Sequence, residues 1–346
     1  MISVGIPKEF KVNEYRVSMT PNDVSKLVNE GICVYVQLNA GIGANFSNKE
    51  YVDAGAVICK TIEDVYKFST LIVKVKEPQP EEYELIKEHH IIFTFFHFAS
   101  SIDLMKAMID SKATCIAYET LRDNNGKFPI LAEMSKIAGE QSIIEANKFR
   151  FYFMNNDNYD YTNDIITIIG VGNVGKAAAY KSKALNYKTI NLIDRDYDKI
   201  KDLEKEGFNV YEMNNFNLSN LMMKSDIVVG SIYVDGEKAK KLIINDLLVL
   251  MQENSIFMDV AIDQGGMTEK SKPTTITNPL IKYHKTYIYC VPNIPSRVPN
   301  EASINLSKVI TPYVLSIANE KIDDIINTGI NINNGKIIHQ SLIGII

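Results

Sequence analysis

Short runs of β-branched and apolar residues alternate along the chain with polar stretches of helical spacing. Residues 2–6, 33–36 and 71–75 read as strands, and residues 22–29 and 81–88, between and after them, read as helices. The alternation is cleaner after Asp164. Strands are predicted at 165–169, 189–193 and 209–211, with helices at 174–185 and 197–206 between them, and further strands at 227–229 and 256–260. Strands that take turns with helices of this length fold as parallel sheets, so the pattern predicts an α/β protein with a doubly wound nucleotide-binding fold in its second half. Residues 151–163, FYFMNNDNYDYTN, show neither period and read as an irregular connection. After Asn300, residues 304–318 return to helical spacing, and the tail 329–346 is too short for a core of its own and is expected to pack on the first domain.

A chain of 346 residues is long enough for two domains. An apolar fraction of 46% and a charged fraction of 23% are those of an ordinary globular protein. The 42 acidic residues outnumber the 37 basic ones and leave a net charge of −5, which argues against a nucleic-acid partner. The opening MISVGIPKEF turns polar too early for a signal peptide and no run is long enough for a membrane helix, so a cytoplasmic protein is expected. Cys33, Cys59, Cys115 and Cys290 lack paired spacing, and the adjacent His89 and His90 lack a completing carboxylate motif, so neither disulfides nor a metal site is expected.

The most specific local signal is DIITIIGVGNVGKAAA. Gly170, Gly172 and Gly175 form a GxGxxG pattern between a predicted strand and a predicted helix. The first glycine allows a tight turn, the second lets backbone approach a pyrophosphate, and the third lets helix and strand pack closely. Asn173 and Val174 then lead into the helix whose free N–H groups face the phosphates. Asp194 ends the next strand, roughly 24 residues after Gly170, where a carboxylate accepts hydrogen bonds from the adenosine ribose. A carboxylate there favours NAD over NADP, although Arg195 follows it directly.

Candidates for chemistry lie in both halves. Arg16 in EYRVSMTP, Lys76 in VKVKEP and His97 in FTFFHFAS stand beside structure-breaking or apolar residues. His97 closes an apolar run and reads as a buried histidine whose charged form is disfavoured and whose neighbours tune it. Each of the three also reads as an ordinary surface charge or satisfied core residue. In MDVAIDQGG, Asp259 and Asp263 follow a predicted strand, and Asp263 is the better candidate because it lies on the loop side, where ligands gather in such folds.

Taken together, VGIPKEFKVNEYRVSMTP, VKVKEP, FTFFHFAS, IAYETL, LAEMSKIAGE, the glycine fingerprint, MDVAIDQGGMTEKSKPTT and YCVPNIPSRVP, in that order, closely resemble the alanine dehydrogenases. The transhydrogenase α subunits are a more distant resemblance. The resemblance implies two Rossmann-like doubly wound domains, with a NAD-binding domain (130–299) inserted into a discontinuous substrate domain (1–129 and 300–346) and catalysis in the cleft. It implies reversible NAD-dependent oxidative deamination of L-alanine to pyruvate and ammonia. Arg16 would clamp the substrate carboxylate, Lys76 would hold the carboxylate or keto oxygen, His97 would be the acid/base, and Asp263 would position substrate and manage protons beside the cofactor. Met134 would touch substrate, Ser135 would touch cofactor, and Asn293 would line the cleft near the nicotinamide. The resemblance also implies a homo-oligomer, with a hexamer leading. Three features depart from the family pattern: residues 151–163 replace a glycine-rich hairpin, Glu133 replaces a proline, and EAS with Glu301 replaces TST. An acidic group near the cleft bears on substrate choice, which keeps two other readings open: a reductase of the saccharopine or opine kind, and a non-catalytic NAD-binding regulatory protein.

Overall fold

The computed structural model describes residues 1–232 and 245–345. The strands, in chain order, are β1 (Val4–Ile6), β2 (Val34–Gln37), β3 (Val57–Cys59), β4 (Leu71–Val73), β5 (Ile91–Thr94), β6 (Thr114–Ala117), β7 (Ile165–Ile169), β8 (Thr189–Asp194), β9 (Asn209–Glu212), β10 (Ile227–Gly230), β11 (Ile256–Asp259), β12 (Leu280–Tyr283), β13 (Thr286–Tyr289), β14 (Ile330–Asn333) and β15 (Lys336–Ile337). They fall in two compact units. Unit 1 comprises Met1–Met134 and Val298–Ile346, of which Ile346 is not described, and unit 2 comprises Ser135–Arg297.

In unit 1 the strand order is β15-β14-β6-β5-β4-β1-β2-β3, with β1 to β6 parallel and β14 antiparallel to β6. In unit 2 it is β12-β13-β11-β10-β7-β8-β9, parallel except for the terminal hairpin β12–β13. Leaving the antiparallel additions aside, both sheets share the 3-2-1-4-5-6 order of doubly wound folds, which reverses between β1 and β4 in unit 1 and between β7 and β10 in unit 2. The near-continuous apolar strands follow from burial on both faces. In unit 2, Ile166, Ile168, Ile227 and Val229 pack on one side with the helices Pro129–Met154 and Asn173–Ala184. On the other side Ile169, Val228 and Phe257 pack with Asn215–Lys224 and Asn245–Leu250.

The predicted fold class and most predicted strands are present, with boundaries shifted by one or two residues. Three segments differ for physical reasons. The helix Pro129–Met154 has apolar residues all round its circumference and so shows no amphipathic stripe to read, and it carries residues 151–154 that were expected to be irregular. The expected helix at 81–88 is a single turn, Pro80–Tyr83, whose Glu82 side chain is wholly buried against Lys74 and Tyr66. The expected helix at 197–206 tightens after Ile200 into a 3₁₀ segment, Lys201–Glu206, which ends at Gly207 in the left-handed region.

The C-terminal segment joins unit 1 through specific bonds. Ser303 Oγ and Ser307 Oγ, on the helix Pro299–Ala318, accept the amides of Val17 and Thr20 at 2.9 Å each. The tail expected to pack on the first domain adds the hairpin β14–β15 to the unit 1 sheet, with β14 paired to β6 and β15 at the edge.

Candidate functional site

In unit 1 the loops after β1, β4, β5 and β6 leave the carboxyl edge of the sheet around the point where strand order reverses. Arg16 follows β1 and is 3% exposed. Its Nε and Nη2 donate to the two carboxylate oxygens of Glu14 at 2.7 and 2.6 Å, and its Nη1 reaches Met134 Sδ at 3.3 Å. The bidentate pair fixes the plane of the guanidinium and balances a charge that burial would otherwise penalise. Glu14 was not singled out from the sequence, although a carboxylate two residues before the arginine was there to be noticed.

Lys76 lies past the end of β4 and is half-buried. Its amide and that of Val75 donate to the carboxylate of Glu9, which comes from the loop after β1, at 3.3 and 2.7 Å. Beneath it Lys74, wholly buried, lies 2.9 Å from Glu82 and 3.4 Å from Glu9. Tyr66 also donates to Glu82, at 3.0 Å. One ammonium thus serves two carboxylates. Burial, reinforced by Glu82 and opposed by Lys74, pushes the Glu9 carboxyl up to about 7. Burial alone would push Lys74 down, but Glu9 and Glu82 more than reverse this and hold it charged.

His97 departs from its predicted environment. It follows β5 but its side chain is exposed, because the strand ends at Thr94 and the backbone turns through φ 50° and ψ 43° at His97. A non-glycine residue in the left-handed region needs support from its surroundings. Glu119, just past β6, supplies it by accepting the amides of Phe96 and His97 at 3.3 and 2.6 Å. The buried histidine of this region is His90 instead. Its Nδ1 accepts the Lys87 amide at 2.8 Å and its Nε2 faces the Tyr66 carbonyl at 3.0 Å, so the ring is neutral with the proton on Nε2, and burial pushes it down to about 4.

In unit 2 the glycine turn is built as its sequence predicts. Gly170 has φ 88°, and a Cβ on Gly175 would sit 2.0 Å from the Gly170 carbonyl oxygen. Around Gly172 a Cβ would meet no protein atom within 4 Å, so the backbone there faces open space. The helix begins at Asn173, one residue before its predicted start, and the N–H groups of its first turn have no partner within the helix. Asp194 accepts the Val171 amide through Oδ2 at 2.6 Å and the Asp196 amide through Oδ1 at 3.1 Å, which orients a carboxylate that retains further acceptor sites. Two partners of the turn were missed. Ser231 Oγ donates to the Gly170 carbonyl at 2.7 Å, and a Cβ on Gly139 would lie 2.1 Å from the Val174 carbonyl. The open backbone at Gly172, the helix terminus and the fixed Asp194 fit a dinucleotide.

The remaining candidates separate clearly. Asp259 is wholly buried and accepts the Met267 amide at 2.8 Å and the Ser271 hydroxyl, so it ties down the following loop. Asp263 is exposed on the 3₁₀ segment Val260–Gln264 and accepts the Asn293 amide at 3.3 Å, which brings these two candidates together. Met134 is buried as the last residue of the first stretch of unit 1, and Ser135, half-buried, opens unit 2 on the same helix. Glu133 is half-buried in that helix, and Glu301 is exposed in the first turn of Pro299–Ala318, where a negative charge suits the helix dipole. A cavity of about 470 Å³ in unit 1, lined by Thr20, Phe46, Glu50 and Lys308 among others, includes none of Arg16, Lys76 and His97. Among the described residues no helix is long and apolar enough to cross a membrane.

Comparison with known proteins agrees with this architecture. The family described as alanine dehydrogenase/PNT, N-terminal domain, matches residues 5–138, and its C-terminal-domain counterpart matches residues 162–340. The chain is 35% identical over 325 residues to an alanine dehydrogenase of Mycobacterium tuberculosis, covering 91% of this chain and 87% of that protein. It is 34% identical over 355 residues to an alanine dehydrogenase of Methanococcus maripaludis, covering 98% and 95%. A solved L-alanine dehydrogenase superposes with a TM-score of 0.94 at 30% identity, covering 99% of this chain and 98% of that one. A transhydrogenase from Sinorhizobium meliloti shares the fold, with a TM-score of 0.85 at 21% identity over 98% of this chain and 99% of that one.

Proposed function

The chain belongs to the alanine dehydrogenase/PNT family, and from that premise we propose that it catalyses the reversible oxidative deamination of L-alanine to pyruvate and ammonia with NAD. The observation that carries the reading is the placement of Arg16, Lys76 and His97 on loops after β1, β4 and β5, at the carboxyl edge where ligands gather in doubly wound folds. Unit 1 is the substrate domain and unit 2 the cofactor domain. Gly170, Gly172, Asn173, Val174 and Gly175 would hold the pyrophosphate of NAD, Asp194 the adenosine ribose, and Ser135 and Asp263 would line the cofactor. When bound, NAD supplies the acceptor for the hydride that leaves the α-carbon.

The side chains account for the other requirements. Arg16, with its plane fixed by Glu14, binds the substrate carboxylate and orients the α-carbon, a contribution of geometry more than of chemistry. Lys76 holds the carboxylate or the keto oxygen, and Met134 and Asn293 shape the substrate's surroundings. Deamination also requires proton transfers, as water adds to the iminium carbon and ammonia leaves. His97 performs them, its imidazole standing exposed on the loop after β5. Asp263 assists in positioning. Asp194 disfavours a 2′-phosphate, so NADH is the preferred reductant over NADPH. The protein acts in the cytoplasm as a homo-oligomer, with a hexamer the expected form.

The test is NADH oxidation followed by absorbance with pyruvate and ammonium, then with other keto acids and amines. Turnover with pyruvate and ammonium is expected. Tight NADH binding without that turnover would overturn the reading.

A further inference from the structure

The amides just past the ends of β4 and β5 have outrun the sheet ladder. The last bonds there run from the Lys74 amide to the Phe93 carbonyl at 3.1 Å and from the Tyr118 amide to the Thr94 carbonyl at 2.9 Å. Further along, the amides of Val75 and Lys76 on one loop and of Phe96 and His97 on the other would need partners elsewhere. Each pair finds a single carboxylate reaching over from a neighbouring strand end: Glu9 after β1 for the first, Glu119 after β6 for the second. Two successive N–H groups held by the two oxygens of one carboxyl group are fixed relative to each other, and the bonds are charge-assisted where that group is ionised.

We propose that Glu9 and Glu119 are positioning residues for the reaction, Glu9 setting Lys76 and Glu119 setting His97, each by clamping the backbone of the loop that carries it. The inference rests on the substrate roles proposed above for Lys76 and His97. The two clamps are separately anchored. Glu119 holds His97 in a left-handed conformation that histidine does not favour unaided, so its effect falls on the direction of the imidazole. Glu9 is itself held from below by Lys74 at 3.4 Å, which ties the Lys76 loop to the buried Glu82 and Tyr66.

Glutamine is the informative replacement at both positions. It keeps the shape but presents one acceptor oxygen, and its NH₂ group faces the second amide donor to donor. Folding should survive. Glu9→Gln leaves Lys74 and Glu82 as a charge-balanced pair, and Glu119 is only half-buried. In the full chain Glu119→Gln should lower kcat with pyruvate and ammonium by roughly tenfold or more while KM for pyruvate moves by less than about threefold, since small misplacement of a reacting group is costly to rate. Glu9→Gln should do the reverse, raising KM for pyruvate by roughly tenfold with kcat within about threefold, because the group displaced is a substrate holder.

General loosening of the unit would move kcat and KM alike in both variants. That outcome, or changes below about twofold in either variant with native melting temperatures, would overturn the clamp proposal. His97→Ala and Lys76→Met, measured beside them, separate the two levels. If these variants keep wild-type kinetics, the roles assigned to His97 and Lys76 are wrong. If they fail as expected and the glutamine variants do not, only the clamps are wrong.

Discussion

The carboxyl edges of the two sheets share a strand order and are built from different materials. In unit 2 the edge is backbone: a glycine turn, a helix terminus and one carboxylate oriented by amides. In unit 1 it is side chains, with Arg16 fixed by Glu14 and the backbones of Lys76 and His97 fixed by Glu9 and Glu119. A backbone site is intolerant of added atoms, because the colliding groups are peptide units that cannot move aside. A side-chain site is intolerant of lost charge, because a partner is then left buried and unmatched.

The largest effect tests whether a side-chain network also underlies the backbone-built unit. Arg150, 2% exposed, donates to Asp164 at 2.7 and 3.0 Å, to Asp226 at 2.8 Å and to the Asn254 carbonyl at 2.7 Å. It joins the ends of the long helix, β7 and β10 with the turn before β11. Arg150→Met should destabilise unit 2 by about 3–5 kcal/mol, since it leaves two carboxylates without their cation. Hydrogen exchange should show lost protection in unit 2 and little change at β1, β4 and β5. Equal loss in both units would break the contrast.

Next comes Gly175→Ala, whose Cβ would lie 2.0 Å from the Gly170 carbonyl. NADH affinity, measured by fluorescence titration, should fall by on the order of a hundredfold, about 2.7 kcal/mol. A fall of under fivefold would show that the turn yields and that unit 2 is less rigidly built than argued. Smaller again is Arg16→Lys, which keeps the charge and removes the planar fork held by Glu14. KM for pyruvate should rise by roughly thirtyfold, about 2 kcal/mol, with NADH affinity unchanged. An unchanged KM would remove Arg16 from substrate binding.

The smallest effect is a pH dependence of stability that two buried groups of unit 1 nearly cancel. Between about 4.5 and 7 the folded chain keeps a proton on Glu9 that the unfolded chain releases, so this contribution falls as pH rises through that window. Between about 6.5 and 4 the unfolded chain protonates His90 while the folded chain does not, so that contribution is lost as pH falls. Each is worth roughly 3 kcal/mol with opposite sign. From pH 4.5 to 6.5 their combined effect on the melting temperature should be slight. Glu9→Gln should unmask a melting temperature that climbs with pH, and His90→Gln one that declines. Parallel profiles for the two variants would refute the assignment.

Legibility in the sequence followed the same division between materials. The glycine turn and its Asp194 could be read because every part of that site lies within one βαβ unit, where spacing along the chain is spacing in space. Arg16, Lys76 and His97 could be listed but not given surroundings. His97 looked buried because it ends an apolar run, and the turn that exposes it depends on Glu119 from another strand end. His90, whose neighbour is also histidine, showed no sign of being the buried one.

What the sequence determined by itself was periodicity and local chemistry: two α/β halves, eight of the fifteen described strands to within one or two residues, and a dinucleotide turn. Tertiary structure alone decided which groups meet. The Glu9 carboxyl and the Lys76 amide, the Glu119 carboxyl and the His97 amide, and the Arg150 and Asp226 side chains are brought together by parallel sheets, whose crossovers make neighbours in space out of residues distant in the chain. What selects those pairings is the need to partner amides beyond the ladder and charges that are buried, and both needs exist only in the folded chain.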